Sequence, residues 1–353
     1  MEETIKQIKE IYHAFSDDES KDIFINRLLY NISGEETYID NIVKEYVIPT
    51  GINEMGVIKY LLYGMDNYSE DFYLVVYGCG EMGEKINRIL GEKILCFCDK
   101  SIEKQNNGFC DKKVISPDEL IAKKNEYRVI IGSIDYYYEI YHELKSKDIQ
   151  LAYDNYEMVS EWLKIVEEQY FAPDIIHYDE NEVFVDGGCL NLFTVKQLLK
   201  RCSTVKKVYA FEPDQNSYIR CNEEAQKISG LSYEIIQKGL YDSNTELCFH
   251  SMGNGCSGID EQGECKISVC SLDSEIEDRV TFIKMDIEGV EMEALKGAQD
   301  IIRKYKPKLA ICVYHKPEDI YQIPQYILRL NSDYKLYLRH YSDNAGETVL
   351  YAV

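Results

Sequence analysis

The sequence is short of positive charge. Its 39 lysines and arginines face 62 aspartates and glutamates, a formal net charge of −23. No basic cluster offsets this, so neither a nucleic acid nor an anionic membrane surface is expected as a partner. A small molecule carrying hydroxyls or a cationic centre is compatible, whereas a phosphorylated ligand needs local help from backbone N–H groups. Cys-x-x-Cys pairs are missing as well. The 12 cysteines are scattered and the 6 histidines do not cluster with them, which argues against a structural zinc site. No apolar run approaches about 18 residues and the N-terminus does not read as a leader, so a cytoplasmic protein with free thiols is expected. Proline is scarce, and Trp162 is the only tryptophan against 30 tyrosines.

What is there is a globular chain, 45% hydrophobic and 29% charged. Its 353 residues exceed one ordinary core and fit two domains with a small extra element. The ordering stretch is VTFIKMDIEGVEMEALKGA, from Val280 to Ala298. VTFIKM is a short apolar run of the kind that forms a buried strand. Asp286, Glu288 and Gly289 follow as a polar turn, and Val290, Ala294 and Leu295 then mark one face of a helix ending near Lys296 and Gly297. Ligands of open α/β sheets bind beyond the carboxyl ends of the strands, so the acidic turn is the place to look for chemistry.

Ahead of it, residues 1–67 read as an N-terminal helical region. Ile5, Ile8, Ile11, Tyr12 and Phe15 repeat at helical spacing, and Ser16 or a neighbouring acid is placed to cap a second helix. These helices pack within the chain or across a homo-oligomer. Residues 68–152 read as a smaller Rossmann-like nucleotide-binding domain. FYLVVYGCGEMG puts a strand before Gly78, Gly80 and Gly83, and the next strand ends at Asp99, where a ribose hydroxyl would be accepted. A nucleotide or nucleotide-sugar, a redox-active NAD, and an empty scaffold are the alternatives for this unit. Residues 153–180 form a helical linker.

The third unit, residues 181–353, has the pattern of a doubly wound α/β sheet with a hairpin or antiparallel strand at its C-terminal edge. EVFVDGG delivers Asp186, Gly187 and Gly188 to a turn, and KKVYAFEPD ends at Glu212. An acid closing the second strand suits two ribose hydroxyls, a geometry that NAD and S-adenosylmethionine share. A hairpin is expected from Glu246–His250 and Cys265–Val269, with the glycine-rich stretch Ser251–Gly258 between them as a mobile loop or a flap over a ligand.

VFVDGG, YAFEPD, SLDSEI, VTFIKMDIEGVEMEALKGAQDII, PKLAICVYHKPEDIYQIPQYI and YKLYLRHYS, in that order, resemble the FkbM family of S-adenosylmethionine-dependent O-methyltransferases. The resemblance covers about residues 181–353. It implies a class I methyltransferase-like fold and methylation of a hydroxyl on a sugar, nucleotide-sugar or related metabolite. It places Asp186, Gly188 and Glu212, with Gly187, Asn191 and Pro213 beside them, on cofactor-binding positions. Asp286, Glu288 and His315 fall on positions facing the acceptor. Leu192 stands where the family usually has a second glycine, and a leucyl side chain there is expected to crowd the methionyl part of the cofactor.

Transfer from a sulfonium needs in-line approach and removal of the acceptor proton. His315 is the expected general base, because its free pKa lies closest to neutral; otherwise it is a histidine bonded to a nearby carboxylate. Asp286 orients it, takes the proton, or holds a divalent cation with Glu288; alternatively Glu288 only caps the following helix. His340 and Tyr314 are the expected acceptor contacts. Two other functions compete: a non-catalytic nucleotide-sugar-binding or scaffold protein with a degenerate methyltransferase fold, which Leu192 favours, and an NAD-dependent oxidoreductase working through the 78–99 unit.

Overall fold

A computed structural model describes residues 2–47, 62, 72–134, 136–250, 258–259, 263 and 265–353. It divides into two compact units: Glu54–Lys164, and a larger unit made of Met1–Asn53 together with Ile165–Val353.

The smaller unit holds a four-stranded sheet of β1 (Tyr73–Tyr77), β2 (Ile94–Cys98), β3 (Val114–Ile115) and β4 (Tyr127–Ile131), ordered β3-β2-β1-β4. All its pairings are parallel. Its strands are apolar runs with nearly every residue buried, as parallel strands covered on both faces require. Ser116 accepts from the Glu119 N–H and Pro117 follows it, which starts the helix Pro117–Ala122.

In the larger unit, β5 (Glu182–Gly187), β6 (Val205–Phe211) and β7 (Ser232–Ile236) run parallel. The chain then makes β8 (Gly239–Leu240), β9 (Thr245–His250), β10 (Gly258–Ile259) and β11 (Cys265–Cys270), a second sheet ordered β10-β9-β11-β8. β9 and β11 pair antiparallel, the expected hairpin; residues 251–257 between them lie outside the described residues. β12 (Phe282–Met285), β13 (Lys308–Cys312), β14 (Leu336–His340) and β15 (Thr348–Ala352) complete a seven-stranded sheet, β14-β15-β13-β12-β5-β6-β7. β15 is antiparallel to both neighbours, the others are parallel, and the fold is α/β as the sequence pattern implies. The order reverses between β5 and β12, so a crevice opens at their carboxyl ends.

The N-terminal helices Glu2–Ala14 and Asp18–Ser33 belong to this unit. Asp17 caps the second helix through the Ser20 N–H, Phe15 bridges to Leu336, and the Ser20 hydroxyl accepts from the Leu338 N–H. Arg339 ion-pairs with Asp17, Glu19 and Asp174. These contacts cover the open edge of β14, which would otherwise offer unpaired backbone to another chain. Among the described residues no helix is long and apolar enough to cross a membrane.

Candidate functional site

The first turn is held by its own residues. Asp186 is fully buried with Lys284 Nζ 3.0 Å away, and Lys284 also donates to the carbonyls of Gly187 and Gly188. Burial pushes the Asp186 carboxyl up despite that partner, and it works against the Lys284 ammonium too. Asp186 and Asp286 outweigh burial for Lys284 and hold it protonated. Gly188 sits at φ +75°, and a Cβ there would lie 2.0 Å from the Asp286 carbonyl oxygen. The glycine thus serves the close passage of two strand ends as well as the turn. Glu212 accepts from the N–H groups of Leu190 (2.9 Å) and Asp214 (3.0 Å), tying the turn to the end of β6. Pro213 is half-buried beside it, and Asn191 accepts from the Phe193 N–H at the start of the helix Phe193–Arg201.

Leu192 takes the left-handed conformation a glycine would favour, at φ +59°, a cost of about 1–2 kcal/mol for a residue with a Cβ. Its side chain does not stand in the crevice. It is buried in the core with Phe184, Val195 and Leu198, so the expected crowding is avoided and burial offsets the backbone cost.

Around the acidic turn the structure brings together Asp286, Glu288, Tyr314 and His315. Tyr170 donates to Asp286 Oδ2 (2.7 Å) and Tyr314 to Oδ1 (3.2 Å). His315 Nε2 lies 3.5 Å from Asp286 and 3.6 Å from Glu288, while Nδ1 lies 2.9 Å from Glu291. Glu291 is fully buried and accepts from the Ile287 N–H in the turn ahead of the helix Glu291–Lys296, whose start carries no side-chain cap from Glu288 or any other residue. Glu288 instead sits at φ +58°, an uncommon conformation that turns its carboxylate toward His315. Glu347 accepts from Tyr314 and from Gln169.

The charges settle accordingly. Burial works against the His315 cation, but Glu291, Asp286 and Glu288 outweigh it and lift the ring to about 9. The ring therefore carries a proton at neutral pH, and its ordinary value, the reason for reading it as the general base, does not apply in this setting. Burial would raise Asp286, yet Lys284 and His315 hold it below the usual carboxylate range. Burial pushes Glu288 up to about 7 against the pull of His315.

His340 is elsewhere in its loyalties. It is buried in β14, with Thr348 Oγ1 at 2.8 Å and Ser342 Oγ at 3.5 Å as its partners, and none of the acidic cluster among them. Burial, reinforced by the Arg27 cation, lowers it to about 3. The native ring stays neutral where the unfolded chain binds a proton, so stability falls as pH drops from about 6.5 toward 3. Between pH 7 and pH 5 the wild type is expected to lose about 2 kcal/mol more than His340→Asn. Urea unfolding at both pH values reads this, and equal losses would show that His340 is not held neutral.

In the smaller unit, Asp99 accepts from the N–H groups of Cys79 (2.9 Å) and Ser101 (2.8 Å), with Lys104 3.5 Å away. A Cβ on Gly83 would meet the Gly78 carbonyl at 2.2 Å, and one on Gly78 the Gly132 carbonyl at 2.8 Å. Gly80 opens onto free space, beside a cavity of about 400 Å³ lined by Gly78, Asp99, Lys100 and Lys104.

Sequence reading missed four residues here: Tyr170, Lys284, Glu291 and Glu347. Lys284 alone had a local signal, a lysine inside an apolar central strand. Tyr170 and Glu347 reach Asp286 and Tyr314 from 116 and 33 positions away, which no motif records.

A family model described as "Methyltransferase FkbM domain" matches residues 174–336, and one described as "C2185-like, N-terminal" matches residues 59–157. The hexuronic acid methyltransferase AglP of Haloferax volcanii is 28% identical over 142 residues, 38% of this chain and 56% of that protein. The chain thus spans about half the length of that curated relative. Among solved structures, methyltransferase FkbM from Methylobacillus flagellatus is similar at 17% identity and a TM-score of 0.47, over 92% of this chain and 100% of that one. An rRNA methylase from Streptococcus thermophilus is similar at 15% identity and a TM-score of 0.34, over 54% and 90%.

Proposed function

We propose, from the match of residues 174–336 to the FkbM methyltransferase domain, that the protein methylates a sugar hydroxyl with S-adenosylmethionine. The observation that carries this reading is the cluster of Asp286, Glu288 and His315. It lies beyond the carboxyl ends of β12 and β13, beside the glycine turn after β5. The residues suit the cofactor in charge. Asp186, Asp286, Glu288, Glu291 and Glu347 outnumber the cations Lys284 and His315, which favours a sulfonium over an anion. S-adenosylmethionine, when bound, supplies a methyl group already activated on sulfur. Tyr170 and Tyr314 hold Asp286 in place, and the cluster binds the acceptor hydroxyl and takes up its proton.

The curated relative's name points to a sugar acid as acceptor. In this chain the surplus of carboxylates disfavours an anionic group at the reacting position and favours a neutral hydroxyl. Leu192 was the feature that favoured a non-catalytic protein, and its burial in the core withdraws that support. For the smaller unit, the strand order and the cavity beside Gly80 support a nucleotide or nucleotide-sugar as ligand.

Labelled methyl transfer to a panel of hexoses, uronic acids and nucleotide-sugars tests the reading. The product expected is an alkali-stable ether, and Asp286→Asn should lower kcat/KM by about 10²–10⁴-fold. Unchanged turnover in that variant would remove Asp286 from the mechanism, and an alkali-labile ester would overturn the hydroxyl as acceptor. Calorimetry with S-adenosylhomocysteine, and separately with a nucleoside diphosphate, reads the two ligand sites one at a time; absence of heat in either titration counts against that site.

A further inference from the structure

We propose that Asp286, Glu288 and His315 bind a divalent cation and that Glu291 is the positioning residue that makes His315 a ligand. Its catalytic role rests on the methyl-transfer reading; the binding itself does not. Each of the three residues offers one ligand atom, and these atoms lie within 4.8 Å of one another, close enough to share one ion.

The histidine is the observation that separates this cluster from an ordinary group of acids. Its side chain is only 10% exposed and neither ring nitrogen makes a hydrogen bond, yet Nε2 faces Asp286 at 3.5 Å and Glu288 at 3.6 Å. On the other edge of the ring, Nδ1 lies 2.9 Å from Glu291 Oε1. A carboxylate there favours the proton on Nδ1, so an entering metal displaces the Nε2 proton of the imidazolium and takes that lone pair, the arrangement that orients metal-bound imidazoles in general. Glu291 is itself fixed, being fully buried and bonded to the Ile287 N–H at 2.9 Å. Asp286 is fixed by the Tyr170 hydroxyl at 2.7 Å.

Two carboxylate oxygens and one imidazole nitrogen, without a thiolate, suit a hard or borderline ion such as Mg²⁺ or Mn²⁺. Three protein ligands leave positions open on an octahedral ion. An acceptor hydroxyl bound at one of them becomes more acidic. With the cluster engaged as ligands, the proton that it would otherwise take up passes to water as the O–H bond breaks, the new O–CH₃ bond forms, and the S–CH₃ bond breaks to leave S-adenosylhomocysteine.

The test uses the full chain, stripped with a chelator and titrated with Mn²⁺ alone, free Mn²⁺ being read by electron paramagnetic resonance. One site per chain is expected. Glu288→Gln and His315→Ala should each weaken it at least tenfold, and Glu291→Gln by about 10–100-fold. Glu288 is partly exposed, so its variant keeps the proposal testable if the Glu291 variant does not fold. No Mn²⁺ binding, or binding unchanged by Glu288→Gln, overturns the site. S-adenosylhomocysteine binding on the same stripped samples keeps the two readings apart: a protein that binds the cofactor but takes up no added Mn²⁺ sinks the metal and leaves methyl transfer standing.

Discussion

Replacing Lys284 by methionine is expected to destabilise the protein by about 3–5 kcal/mol, the usual result of leaving a buried charge without its partner. Asp186 is 0% exposed and neither of its oxygens makes a hydrogen bond; the Lys284 ammonium at 3.0 Å is what compensates it. The same ammonium supports the carbonyls of Gly187 and Gly188 and helps keep Asp286 ionised. Methionine fills the space but supplies none of this. Adding Asp186→Asn removes the stranded charge, so the double variant should recover part of the loss. Urea unfolding at pH 7 measures both. A loss below about 1 kcal/mol would mean that Asp186 is neutral in the native protein and that the pair contributes little.

Gly188→Ala should have the largest effect on activity of any substitution outside the acidic cluster. The new Cβ would lie 2.0 Å from the Asp286 carbonyl, at a φ of +75° that an alanine adopts only with strain. The neighbour is backbone and no rotamer change relieves the clash. Either the turn after β5 or the strand end bearing Asp286 must move. A displacement near 1 Å at a reacting group costs about 10²-fold in rate. The expected result is that loss in kcat, with the protein still folded by circular dichroism. Full activity in a folded variant would show that the turn moves away from Asp286 without disturbing it.

Much of the fold was legible because its causes are local. Ser116 followed by Pro117, an acid at position 17, and the apolar runs of the parallel strands each act within a few residues. The helix stop at Gly297 was legible too, although its cause is not local. Its φ is −74°, an ordinary helical value, and a Cβ there would meet the Tyr241 carbonyl at 2.0 Å. The glycine answers to packing across the fold, not to a left-handed cap.

The site was legible where strand ends bring motif residues together, as with Asp286, Glu288 and His315. Its electrostatics were not. Glu291 lies within the same stretch as Asp286, but only the folded turn aims it at His315 and so fixes the charge of the ring. Strand alternation sends the neighbours Arg339 and His340 of β14 to opposite faces and says nothing of what meets them there. His340 is enclosed by Thr348 and Ser342, and Arg339 is taken up by acids from the N-terminal helices and from Asp174.

Those N-terminal helices have a consequence for how the molecule is made. Ser20 and Leu338, which bond to each other, are 318 positions apart. During synthesis the first helices leave the ribosome long before the strand they cover exists. All of Glu54–Lys164 is translated in the interval and can close as a unit by itself. The larger unit has no such option. β15 lies between β13 and β14 in the sheet, so it must enter an interior position, and the unit that carries the acidic cluster cannot close until residues 348–352 have been made.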